Sequence, residues 1–159
     1  MNVVLLEPEI HYNTGNIGRT CAATGTALHL IKPLGFSLDD KYLKRAGLDY
    51  WADVNLTVYE NYGEFINLNP RAPIYFATTK GGAAYTDIRY APGDFFMFGK
   101  ESAGIPETIL KSNIERCVRI PMFPGARSLN LGNSVAIVLY EALRQNDFKS
   151  LVTSSDYLK

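Results

Sequence analysis

The sequence predicts an α/β fold: an open, mostly parallel sheet flanked by helices. Two observations carry this. Short apolar runs rich in Val, Ile and aromatic residues recur along the chain with helical or turn-rich segments between them, the pattern of βαβ units. Clusters of small, polar, backbone-exposing residues follow several of these runs, and in open parallel sheets ligands bind outside the carboxyl ends of strands.

The first strand is predicted at 2–6, the run Val3-Val4-Leu5-Leu6 closed by Glu7. A helix from Thr14 to Thr26 follows, with Gly18, Ala22 and Gly25 on one stripe and Ile17, Cys21 and Ala23 as apolar bulk. Glycine inside a helix costs about 1 kcal/mol relative to alanine, so such a stripe implies a close contact. Another helix or another subunit would supply it, and the subunit is the expectation. Further strands are predicted at 27–32, 55–59, 73–78, 94–98 and 117–120. His29 alternates within the second strand and reads as structural. Trp51 and Tyr50 read as core rather than as stacking platforms.

The last helix is predicted from Leu131 to Gln145, with Leu131, Val135, Val138, Leu139, Ala142 and Leu143 at spacings of three and four. Ile137 and Tyr140 make its other face apolar too, which points to burial on two sides and again to a dimer. The polar tail after Gln145 is expected to be frayed.

Composition bounds the function. The 159 residues suit one soluble domain, residues 1–159, and carry 16 basic against 16 acidic side chains. A neutral chain has no global field for polyanions, so any nucleic-acid binding must come from a local patch. No run of about 18 apolar residues occurs and no signal-peptide pattern opens the sequence, so the expectation is a cytoplasmic protein without membrane contact. Cys21 and Cys117 lack metal-ligand spacing and read as buried thiols; no metal is expected.

The common nucleotide and hydrolase motifs fail. No GxGxxG follows a predicted strand. The stretch from Gly93 to Gly99-Lys100-Glu101 is one residue too long for a P-loop and has Glu101 where a magnesium-binding hydroxyl belongs. Ser102 is in no GxSxG elbow, and neither His11 nor His29 suggests a triad.

Three clusters carry more information: Asn13-Thr14-Gly15-Asn16-Ile17-Gly18-Arg19, Phe98-Gly99-Lys100-Glu101-Ser102-Ala103-Gly104-Ile105-Pro106, and the segment from Ile120-Pro121-Met122 through Arg127-Ser128-Leu129-Asn130 to Ser134. In order and spacing they resemble the three motifs of the SPOUT superfamily of RNA methyltransferases, across residues 1–148. Glu7-Pro8-Glu9-Ile10, Arg45-Ala46-Gly47-Leu48-Asp49-Tyr50, Thr78-Thr79-Lys80-Gly81 and Tyr140-Glu141-Ala142 resemble its minimal, single-domain branch, which 2′-O-methylates the wobble nucleotide, cytidine or uridine 34, of certain leucine tRNAs.

The resemblance implies a C-terminal trefoil knot, S-adenosyl-L-methionine as methyl donor, the tRNA anticodon loop as partner, and a homodimer with each site at the interface. It places donor contacts at Ala77, Gly99, Ile120 and Ser128, with Met122 and Leu129 completing the pocket. Bare backbone at glycines and prolines suits close wrapping of an adenine. It places a functional arginine at Arg19, beside the ribose and from the other subunit. A guanidinium stays protonated near neutrality, so gripping phosphate and stabilising charge on the 2′-oxygen fits Arg19 better than general base. Otherwise it is a surface arginine paired to a local acid.

Asn13 and Asn130 would position groups by hydrogen bonds, or Asn130 would only cap the last helix. Glu101 would orient Arg19, balance the sulfonium, or stand in solvent. Lys41, Lys44 and Arg45 form a basic face that either meets RNA or is ordinary solvated surface, and Arg127, with Lys80 and Lys100, could gather at the pocket mouth. Lys100 and Ala103 depart from the proline and arginine common in the family, and Gly18 from a larger apolar residue, leaving details of tRNA contact open. Methylation of another RNA such as rRNA, or RNA binding without catalysis, are the alternatives.

Overall fold

A computed structural model describes residues 1–38 and 49–157. Lys41, Lys44 and Arg45 lie outside the described residues. The elements run β1 (Asn2–Leu6), α1 (His11–Thr24), β2 (Ala27–Ile31), a 3-10 turn (Asp49–Asp53), β3 (Leu56–Tyr59), α2 (Tyr62–Leu68), β4 (Ile74–Ala77), β5 (Ala83–Ala84), β6 (Phe95–Phe98), α3 (Glu107–Lys111), β7 (Cys117–Arg119) and α4 (Leu131–Gln145). The strands form one sheet in the order β3-β2-β1-β6-β4-β7-β5, and every described pairing is parallel.

β1 is central and covered on both faces, which is why it reads as a continuous apolar run. Its alternation divides the core. Val3 and Leu5 face one cluster with Ile17 and Cys21 of α1 and Val135, Val138 and Leu139 of α4. Val4 and Leu6 face the other, with Phe65 of α2 and Leu110 of α3. α4 has the predicted bounds, and its core face is buried at Val135, Val138, Leu139, Ala142 and Leu143. Tyr140 on its other face is 47% exposed.

Several expectations are corrected. α1 begins at His11 rather than Thr14, although the residue before it, Ile10, offers no capping side chain; the acceptor comes from a distant loop, described below. Gly25 is not in the helix: it adopts a left-handed φ of 63° and its N–H closes the last turn on Cys21 and Ala22. The close contact at Gly18 is made within the chain, since a Cβ there would lie 2.5 Å from the Trp51 ring. The tail is tied down at its start. Phe148 and Leu151 pack on the core, and the Phe148 N–H donates to the Leu143 carbonyl at 2.9 Å; Val152 and Tyr157 beyond are exposed. β5 escaped notice because two alanines carry no strand signal.

Cys21 and Cys117 are buried free thiols, and burial pushes Cys21 up to about 12. His29 is buried among Tyr59, Phe65 and Phe95, with Nδ1 3.0 Å from the Tyr59 hydroxyl. Burial lowers its pKa to about 4. Unfolded chains take up a proton at histidine near pH 6.5, which the folded protein refuses until about pH 4. The stability this neutral ring contributes is therefore present above pH 6.5 and lost as pH falls toward 4. Urea unfolding at pH 7 and pH 5 should show a loss of about 2 kcal/mol, and His29→Phe should remove most of that difference.

Candidate active site

The carboxyl ends of β4, β6 and β7 open into a cavity of about 520 Å³. Ala77 and Thr78 enter it from the end of β4, the loop at residues 99–105 from β6, and Ile120, Met122 and residues 127–131 from the segment after β7. Ile10 and Asn13 of the first helical turn complete the rim. Gly99 is obligatory. A Cβ there would stand 2.1 Å from the Gly104 carbonyl carbon and 2.2 Å from the Ile105 nitrogen, so only a bare backbone lets the turn close on itself. The same turn carries a bridge between Lys100 and Gly104.

A chain of amides and one carboxylate binds three loops. Glu101 accepts from the Glu9 N–H at 2.9 Å, the Ile10 N–H at 3.3 Å and Asn13 Nδ2 at 2.9 Å. The carboxylate thus takes the N–H of Ile10, the N-cap residue of α1, and of Glu9 before it, as the glutamate of a capping box takes the N-cap N–H, and favours that helix end electrostatically. Asn13 Oδ1 accepts from Asn130 Nδ2 at 2.9 Å, while Asn130 Oδ1 accepts from the Asn133 N–H at 3.3 Å. Asn130 therefore fills both expected roles, capping α4 and positioning Asn13.

The structure brings together Asn13, Ala77, Gly99, Glu101, Ile120 and Met122 around the cavity. Arg127, Ser128, Leu129 and Asn130 join them there. It does not bring in Arg19, which is exposed on α1 and absent from the lining of its own chain's cavity. Lys80 and Lys100 reach the wall, each held by an acid: Lys80 by Glu107 at 2.5 Å and Lys100 by Glu7 at 2.8 Å. The Glu7 carboxylate raises the Lys100 pKa. Sequence reasoning missed Ile10 and Ser134 in the wall and the contact of Glu9 with Ser102; the pairing of an acidic Glu7-Pro8-Glu9 with Lys100 and Ser102 was the available signal.

The residues present fit an adenosyl donor. Ala77, Ile120, Met122 and Leu129 offer an apolar bed, and Thr78, Ser128 and the exposed loop backbone offer polar edges, the composition expected of a nucleoside site. Among the described residues, no group of three His, Cys, Asp or Glu is placed to hold a metal ion, and no helix is long and apolar enough to cross a membrane.

A parallel α/β sheet with a cavity built from loops at its carboxyl edge defines the class of open-sheet α/β proteins that bind a small ligand there. The chain belongs to the SpoU rRNA Methylase family, which it matches over residues 1–140. It is 52% identical over 152 residues to a tRNA (cytidine(34)-2′-O)-methyltransferase of Methylovorus glucosotrophus, covering 95% of this chain and 99% of that one. A solved structure described as giving insight into the 2-OH methylation of C/U34 on tRNA superposes with a TM-score of 0.86 at 44% identity, over 92% of this chain and 95% of that one. An AdoMet-bound rRNA methyltransferase from Sinorhizobium meliloti superposes with a TM-score of 0.77 at 25% identity, over 90% of this chain and 55% of that one.

Proposed function

We propose that this chain transfers a methyl group from S-adenosyl-L-methionine to the ribose 2′-oxygen of nucleotide 34 in tRNA, leucine tRNAs included, as a single-domain homodimer of the cytoplasm. The observation that carries this reading is the loop-built cavity whose rim is set by the Glu101–Asn13–Asn130 chain. Relatives at about half identity over nearly their whole length name the reaction.

The donor supplies an electrophilic methyl carbon on a positively charged sulfur. The loop turned at Gly99 and the segment from Ile120 to Leu129 hold it, and holding two reactants in line supplies about 7–11 kcal/mol of a transfer barrier. Asn13, fixed at both ends of its amide, orients the first turn of α1 and through it Arg19. Arg19 grips phosphate and stabilises charge growing on the ribose oxygen of the partner's site, the proton passing to phosphate or water. Arg127 at the rim meets the RNA backbone. A C-terminal trefoil knot is part of this reading, supported by the shared fold and by the segment after β7 and the loop after β6 lining one cavity.

Labelled donor incubated with purified protein and tRNA transcripts tests it. Incorporation mapping to the nucleotide 34 ribose is expected. Donor binding without transfer to any tRNA would favour an RNA-binding protein, and transfer to ribosomal fragments alone would favour rRNA.

A further inference from the structure

Two acidic residues outside the machinery described above continue the register of the sheet. β1 and β6 pair with Asn2 opposite Phe95 and Leu5 opposite Phe98, an offset of 93 residues. Beyond the strands the pairing passes to side chains at the same offset. Lys100 Nζ donates to Glu7 Oε2 at 2.8 Å. Ser102 donates to Glu9 twice, through its backbone N–H at 2.9 Å and its hydroxyl at 2.8 Å. The chain bends at Glu7, whose φ is 52°, and Glu7 and Glu9 are still two rungs of one ladder because each meets the residue 93 positions further on. Glu101, between Lys100 and Ser102, returns the contact by accepting from the Glu9 and Ile10 N–H groups.

The ladder grips a part of the cavity wall that packing does not hold. Ser102, Ala103 and Gly104 are exposed, and the turn is internally closed by the Gly104 N–H donating to the Lys100 carbonyl at 2.8 Å. It is therefore one closed unit. Hydrogen bonds to a charged acceptor are roughly twice as strong as neutral ones, and the bonds from Ser102 hold the Glu9 carboxyl below the usual carboxylate range.

We propose that Glu9 is a positioning residue: its carboxylate, acting on Ser102, holds the 100–104 turn in the place that shapes the donor cavity, with Glu7 on Lys100 as a second fastening. The inference rests on the proposed methyltransferase reading.

Calorimetric titration with S-adenosylmethionine, alongside thermal melting, tests it on the intact chain. Glu9→Ala should weaken donor binding about tenfold and Ser102→Ala about threefold. The double variant should bind no more than about twofold weaker than Glu9→Ala, because both remove one contact. Ser102→Thr keeps both donors and should bind within about twofold of wild type. A folded Glu9→Ala that binds donor like wild type overturns the proposal, as does strict additivity. Should Glu9→Ala not fold, a folded Ser102→Ala with wild-type affinity overturns it. A wild-type protein that binds no donor instead overturns the methyltransferase reading, so the two failures are distinct.

Discussion

Arg19→Ala is expected to lower methyl transfer to tRNA by about 100- to 1000-fold, the cost of removing one preorganised charge donor from a transition state, while donor affinity stays within about twofold of wild type. The separation follows from position. Arg19 lies six residues beyond Asn13 on α1, so it is about 9 Å along the axis and on a different face. It takes no part in the cavity wall of its own chain. Arg19→Lys should recover little, because a compact ammonium does not reproduce the planar fork that grips phosphate in two places. Steady-state kinetics with filter-captured tRNA measure the first effect and calorimetry the second. Arg19→Ala retaining more than a tenth of wild-type turnover would remove it from the chemistry.

Gly99→Ala is expected to weaken donor binding by about 100-fold or more. A methyl group at 2.1 Å from a backbone carbon has no flexible neighbour to push aside, and forced overpacking costs about 1–3 kcal/mol before any effect on a ligand. Relief requires the chain at Gly104 and Ile105 to move, and both residues form the wall. Ile105 also belongs to a core cluster, so far-ultraviolet dichroism and thermal melting must accompany the binding measurement, and the expected result is a folded variant with the donor affinity lost. The two variants also test the assembly together. At a donor concentration near the wild-type Kd each is nearly inactive alone, but if Arg19 serves the partner's cavity, equal mixing after subunit exchange should restore about a quarter of wild-type activity, since half the dimers then hold one complete site of two. No recovery after exchange would place Arg19 in its own subunit's reaction.

The sheet was legible because its central strands are buried on both faces and so leave unbroken apolar runs; the predicted strands 2–6 and 27–32 match β1 and β2 to within a residue. α4 was legible through its spacing and the capping asparagine before it. The start of α1 was not, because its acceptor, Glu101, lies 91 residues from Ile10 in the chain and local capping rules see only neighbours. The Gly18 stripe signalled close packing correctly but not with what: Trp51 fills it, and nothing at position 51 announces that destination. Of the site, the resemblance marked the loops that line the cavity, since loops at strand ends are where such sheets bind ligands. What it did not yield was connectivity, because whether Glu101 meets an arginine, a sulfonium or a helix end depends on distances that spacing does not encode.

The bond from Asn130 to Asn13 spans 117 positions, and that from Ser102 to Glu9 spans 93. Such separations are slow to close during folding, and a ribosome delivers the chain from its first residue onward. A nascent polypeptide can assemble β1 to β6 early, yet it stays blind to its methyl donor until the segment leading into α4 has left the exit tunnel. Competence thus waits on the segment that follows β7.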